Sequence, residues 1–159
     1  MFREMVRINQ QLSQDDCITL LKTETRGVLA VIGDDDYPYA SPLNHFYNED
    51  DGCIYFHCGT QRSHRLDALR KNGKVSFCLY DNGYRKDGEW ALNVKSVIVF
   101  GRMEIVDDKK VIADIVDKLS RKFTGDNEYI KNEIEQHLHH TLLLKLVPEH
   151  ICGKLVNES

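Results

Sequence analysis

Two periodicities run along the chain. From Val28 to Val106 apolar and polar side chains alternate mostly at period two, the spacing of a strand with one buried face. On either side, and once within that block, apolar residues recur at three and four, as on one face of a helix. Ser13-Gln14-Asp15-Asp16 has the form of a capping box with Asp in the acidic position. It predicts a helix through about Thr23, with Cys17, Ile18, Leu20 and Leu21 as its apolar stripe. Gly27 then releases the chain into strands. Val28–Ile32 reads as a short buried strand and Gly33-Asp34-Asp35-Asp36 as its turn. Tyr37–Tyr47 sets Tyr39, Ser41, Leu43, His45 and Tyr47 on one side, with Ala40, Pro42, Asn44 and Phe46 on the other. Asn48–Gly52 is a hairpin loop and Cys53–Cys58 the returning strand. Pro42 cannot donate to a ladder, so it places this strand at an edge or a bulge, and bulges tend to sit beside sites.

A helix from Ser63 to about Lys71 stops at Asn72-Gly73, and Val75–Tyr80 is the fourth strand. Asp81–Glu89 is a polar loop. Trp90–Val106 is long for one strand, and Gly101 marks a bend in it. Asp107-Asp108 opens an amphipathic helix with Val111, Ile112, Ile115, Val116, Leu119 and Phe123 on one face, ended by Gly125. Asp126–His140 predicts a second, more polar helix carrying Tyr129, Ile130, Ile134 and Leu138. The last strand, Thr141–Val147, meets Pro148 and resumes near Ile151–Val156. About six strands joined as hairpins, with four helices, give a mainly β domain whose antiparallel sheet can close into a small barrel. No repeat or linker divides the sequence, so residues 1–159 read as a single domain.

Composition changes this picture little. The 159 residues are 42% hydrophobic and 29% charged, a globular balance. The longest apolar runs, such as Val97–Phe100, fall far short of the roughly 18 residues that cross a bilayer. Arg3 and Arg7 are followed by polar residues where an export signal needs an apolar stretch, so the expected location is the cytoplasm. A net charge of −4 with one short basic spot, Arg62–Arg70, excludes tracking of a polynucleotide backbone. Five cysteines without a CxxC pair read as buried thiols, and Cys53 and Cys58, at odd separation on one strand, face opposite ways. His137 and His140 stand at helical spacing, but no further ligands complete a metal site. Neither GxGxxG, GxxxxGK[ST] nor GxSxG occurs, which removes the Rossmann site, the P-loop and the nucleophile elbow.

The sharpest chemical signal is Phe56–Leu69. A strand ends, Gly59 turns the chain, and a helix starts at a Ser63 cap with Arg62, His64 and Arg65 around its first turn. Free N–H groups and the positive dipole end favour an anion there, whereas cations ordinarily avoid that end. A bound phosphate resolves the conflict; the alternative is that Arg62 and Arg65 pair with Asp67 or other surface acids.

The motifs Val28–Ile32, Tyr37–Asn44, Ile54–Cys58, His64–Leu69, Lys74–Cys78 and Ser96–Gly101 stand in one order. In that order they resemble the FMN-binding split-barrel proteins related to pyridoxamine 5′-phosphate oxidase, most closely the nitroimidazole-resistance (Nim-type) branch. The likeness spans about residues 1–155. It implies a six-stranded antiparallel split β-barrel of Greek-key type with peripheral helices. It also implies a homodimer with FMN in clefts between subunits. Carried over by position, Ser41, Pro42, Leu43 and Asn44 lie along the isoalloxazine, and His57, Cys58 and Gly59 continue that wall. His64 and Arg65 hold the phosphate, and Ser96, Val97 and Ile98 serve the same or the partner subunit's flavin. The sequence departs from the branch in having Ser63-His64-Arg65 where Gly-His-Lys or Gly-Arg-Lys is common. It also lacks the C-terminal Arg- and Gln-Ser-rich signature of the true oxidases, which disfavours vitamin B6 oxidation.

The resemblance leaves two functions. One is a reductase passing electrons from NAD(P)H through FMN to a small electron-poor acceptor such as a nitroimidazole, chemistry that belongs to the cofactor and needs no visible catalytic residue. The other is a flavin-binding sensor or carrier without turnover; haem or deazaflavin ligands are further possibilities for the fold. The homodimer is expected to bury the outer apolar side of the Trp90–Val106 strand, either Val97/Val99 or Ile98/Phe100.

Overall fold

In the computed structural model, which describes residues 1–159, Ser13 caps the first helix, α1 (Gln14–Thr23). Its hydroxyl accepts the Asp16 amide and donates to the Asp16 carboxylate at 2.8 Å. Strands β1 (Arg26–Ile32) and β2 (Pro38–Asn44) follow, joined by a turn in which Asp35 and Asp36 take left-handed backbone angles. Aspartate tolerates that region better than most residues. Next come the hairpin of β3 (Phe46–Asn48) and β4 (Cys53–Gly59), then α2 (His64–Lys71), β5 (Lys74–Tyr80) and β6 (Asn93–Val106). Helices α3 (Lys109–Ser120) and α4 (Asn127–His137) precede β7 (Thr141–Asn157). Asp108 and Asp126 cap α3 and α4 through their carboxylates.

All seven strands pair antiparallel in the order β2-β1-β5-β6-β7-β4-β3. Strands β2 and β3 lie at opposite edges of this sheet, yet only His45 separates them in the chain. The sheet must therefore curl until its edges meet at His45. No ladder joins β2 to β4, so away from that corner the barrel stays split.

The sheet has seven strands rather than six because Tyr37–Tyr47 breaks at His45. The ring of His45 is fully buried, with Nε2 2.7 Å from the Leu21 carbonyl oxygen. Pro148 does not interrupt the last strand. It stands opposite Gly101, where the β6–β7 ladder shifts register, and the bulge absorbs the missing donor. Gly101 is required there, since a Cβ would run into the Val147 carbonyl. Helix α2 ends with Asn72 in extended backbone (φ −146°), not in a left-handed glycine cap. Trp90 lies outside β6 and is exposed. Pro42 sits on the edge strand, where its lost N–H is harmless.

The barrel interior holds Leu29, Val31, Ile54, Phe56, Phe77, Val97, Val99, Leu144 and Leu146, plugged by Leu20 and Leu21 of α1 and Leu66 and Leu69 of α2. Phe77 is central, edge-on to Phe56 at 5.0 Å and to His45 at 5.1 Å. Outside β4 and β7, Ile112 and Ile115 of α3 cover Cys53, Tyr55 and Leu143. Cys53 thus belongs to the outer cluster and Cys58 to the inner one.

Candidate functional site

The split between β2 and β4 brings together four of the residues picked out by the sequence. On the outer side, Pro42, Leu43 and Asn44 of β2 and His57 of β4 line a shallow cleft of about 350 Å³ with Arg26 of β1. Arg26 pairs with Asn44 in register and donates from Nε to its Oδ1 at 3.0 Å, fixing which way that amide faces. Although His57 is exposed, the protein on one side withdraws water from its ring and lowers its pKa. Ser41 points the other way, toward the interior row of Tyr39 and Leu43, and its Oγ is buried without a hydrogen-bond partner.

The second part of the site is the start of α2. Ser63 caps the helix by accepting the Leu66 amide at 3.3 Å. The His64 ring packs on Tyr39 of β2 at 4.3 Å, so the helix N-terminus is seated against the edge strand. Arg62 donates to Asp67 at 2.7 Å, and that bond holds the Asp67 carboxyl below its usual pKa. Arg70 also reaches Asp67, at 3.6 Å, while Lys71 and His64 approach Asp34 at 3.4 and 3.8 Å. Arg65 differs from all of these. It is half-buried, reaches no carboxylate, and its Nε–H is buried without an acceptor. Its charge is felt by Cys58, whose thiol is raised by burial and pulled back by Arg65 and Arg70. Gly59 ends β4 beside them, and Thr60 donates to the His140 carbonyl at 3.0 Å.

The surface alternative therefore describes Arg62, which is paired with Asp67, and not Arg65. A positive helix end with a guanidinium that reaches no carboxylate suits a phosphate-bearing ligand. The flat edge of β2 suits a planar ring beside it.

Ser96, Val97 and Ile98 lie elsewhere. Val97 is fully buried in the barrel core, while Ser96 and Ile98 face outward into a groove of about 520 Å³ beneath the N-terminal segment. Within one subunit they lie off the β2–β4 split, with β1 and β5 between β6 and β2, and β7 between β6 and β4. The sequence reading passed over Arg26 and Tyr39 as site residues. Arg26 falls just before the predicted start of its strand, and only the observed register Arg26↔Asn44 brings it to the cleft. Tyr39 was visible in the alternation with Ser41 and Leu43, but its stacking on His64 joins segments far apart in the chain.

The profile of the pyridoxamine 5′-phosphate oxidase family matches residues 13–155. A comparison with curated proteins gives no match. Among solved structures, the chain is similar to the conserved hypothetical protein Rv2991 of Mycobacterium tuberculosis, with a TM-score of 0.80 at 19% identity over 95% of this chain and 90% of that one. It is also similar to a protein of Bacteroides thetaiotaomicron named for 5-nitroimidazole antibiotic resistance, with a TM-score of 0.77 at 15% identity, covering 92% and 87%. An FAD-binding protein of Mesorhizobium loti gives 0.66 at 22% identity, covering 92% and 97%. At these identities the likenesses establish the fold.

Proposed function

Because the chain belongs to the pyridoxamine 5′-phosphate oxidase family, we propose that it is an FMN-binding flavoprotein of the split-barrel type. On this reading it works as a homodimer and passes electrons from NAD(P)H to a small electron-poor acceptor such as a nitroimidazole. The observation that carries the proposal is Arg65, a half-buried guanidinium at a helix N-terminus with no acid to hold and an orphaned Nε–H. With His64 it would hold the phosphate, and the edge of β2 from Ser41 to Asn44 would lie along the ring. His57 would bound the ring's far side, and Asn44, oriented by Arg26, keeps an N–H₂ free for its polar edge. When bound, the flavin supplies hydride and electron transfer; these residues would supply its grip and orientation.

The dimer is supported by the outer face of the sheet. Pro42, Val28, Cys78, Ile98 and Cys152 form one row across five strands, and Ala40, Ala30, Ser76, Phe100 and His150 the next. Two adjacent rows without an Asp, Glu, Lys or Arg suit an interface better than solvent, and at their β6–β7 end the chain's own Phe2 stacks on Phe100 at 5.5 Å and on His150 at 5.0 Å. Val97 and Val99 face the core, so the outward pair is Ile98 and Phe100. Pro42 belongs both to this face and to the cleft, so a partner seated here would roof the ring site and bring its own Ser96 and Ile98 nearby.

The test is the visible spectrum of the purified protein. An oxidised-flavin band that NADH or NADPH bleaches and a nitroimidazole restores supports the reductase. A flavin band that neither nucleotide bleaches leaves a binding module, and a Soret band replaces flavin by haem.

A further inference from the structure

The β1–β2 ladder ends at Arg26 and Asn44, and one side chain bridges the two segments as they part. Lys122, just beyond α3, donates from Nζ to the Glu24 carbonyl at 2.6 Å and to the His45 carbonyl at 3.1 Å. The only backbone link beyond the ladder is the His45 amide to the Thr25 carbonyl, a long bond of 3.3 Å. Glu24 and His45 are each within two residues of the Arg26–Asn44 pair that lines the cleft. The ammonium is half-buried, and burial brings its pKa down to about 8, with Glu24 acting the other way. Nearby charges are engaged with one another: Lys22 with Glu49 at 2.8 Å, and Lys118 with Asp114 at 3.0 Å and Asp50 at 3.7 Å. His45 beside it is held neutral by burial first and by Lys122 second. A deprotonated amine still has two N–H donors for two carbonyls, so the bridge survives on either side of its pKa.

We propose that Lys122 is a positioning residue, which shuts the end of the β1–β2 ladder and thereby fixes Arg26, Asn44 and the ring-facing edge of β2. Without it, two part-buried carbonyls lose their donor, and past the ladder the only backbone bond left between the segments is the long His45–Thr25 bond, beside the Arg26–Asn44 side-chain bond and the His45 ring on the Leu21 carbonyl. The link to ligand binding rests on the flavin reading above; the closure of the ladder does not.

Hydrogen exchange of the flavin-free protein, with FMN and riboflavin titrations, tests this on wild type, Lys122→Met and Lys122→Arg, with Lys118→Met, which bonds neither carbonyl, as the control. In Lys122→Met the His45 amide should exchange at least about tenfold faster, while mid-strand Leu29 and Ala30 exchange as before. FMN and riboflavin should weaken together by about tenfold, since the ring edge loosens and the phosphate end is untouched. Lys122→Arg should recover part of both effects, and Lys118→Met should show neither. A His45 amide that exchanges as in wild type, or unchanged affinity for both ligands, overturns the proposal. If Lys122→Met does not fold, Lys122→Gln, whose donor falls short by one bond, carries the same comparison. A wild type that binds neither ligand sinks the flavin reading, and the exchange result then decides the ladder closure alone.

Discussion

Arg65→Ala removes one side chain from a cluster in which every other arginine and lysine is engaged. Arg62 and Arg70 share Asp67, and His64 and Lys71 share Asp34, whereas Arg65 meets no carboxylate and leaves Nε–H without an acceptor. If a flavin phosphate completes that guanidinium, each charge-assisted hydrogen bond contributes about 1.5–3 kcal/mol. At about 1.4 kcal/mol per factor of ten, loss of one such bond weakens FMN by roughly tenfold to a hundredfold. Riboflavin has the same ring without the phosphate, so its affinity should hardly move. Arg62→Ala provides the contrast: that side chain is 87% exposed and already held by Asp67 at 2.7 Å, so its loss should weaken FMN less than Arg65→Ala does. Fluorescence titration of the flavin-free protein with both ligands measures all of this directly. Equal weakening of FMN and riboflavin in Arg65→Ala, or no weakening of either, would show that Arg65 is not the phosphate residue.

Three further outcomes follow from the packing. Ile98→Glu puts a charge in the middle of the outward row, so light scattering should change from the mass of a dimer to that of a monomer; a wild type already monomeric at micromolar concentration would remove the dimer and its shared cleft. Gly101→Ala pushes a Cβ into the Val147 carbonyl at the β6–β7 bulge and should destabilise by about 1–3 kcal/mol in urea melts, and an unchanged midpoint would mean that the bulge yields freely. Burial, and then the Lys122 ammonium, lower His45 from 6.5 to about 4, so between those values the unfolded chain binds a proton that the folded one refuses. Stability is then complete above the upper value and falls as pH drops toward the lower one, by about 2 kcal/mol at pH 4.5; a His45→Gln variant that loses as much stability between pH 7 and 4.5 as wild type would assign the loss to other groups.

Local features of the fold were legible because they rest on local physics. Ser13, Ser63, Asp108 and Asp126 cap helices where their residue types predict, since a cap is settled by one side chain and amides two or three residues ahead. Pro42 announced an edge and Gly101 a bend, each through a steric restriction of its own. The continuous 17-residue β7 was not legible, because Pro148 stops a strand unless a partner strand bulges opposite it, and that partner lies in another part of the sequence. The break at His45 was hidden for a related reason. Period two continues straight through it, and only the requirement that β2 and β3 occupy opposite edges forces the chain to leave the ladder there.

The same distinction divides the candidate site. The cationic Ser63–Arg65 turn is written in consecutive residues, so the sequence could pose the choice between phosphate and surface acid; in the structure Arg62 pairs with Asp67 and Arg65 reaches no carboxylate. The ring edge has no such local signature. Around it stand contacts between distant segments: Arg26 with Asn44, Tyr39 with His64 of α2, and Lys122 with the His45 and Glu24 carbonyls, 77 and 98 residues away along the chain. Those contacts join a guanidinium to a side-chain amide, one ring to another and an ammonium to two backbone carbonyls across segments distant in the chain, and no local motif displays them. Within one subunit Ser96 and Ile98 open on a groove apart from the β2–β4 split, so any part they play at the flavin depends on a second copy of the chain. For that reason the dissociation of Ile98→Glu should weaken riboflavin as well as FMN, unlike Arg65→Ala, which separates loss of the shared roof from loss of the phosphate grip.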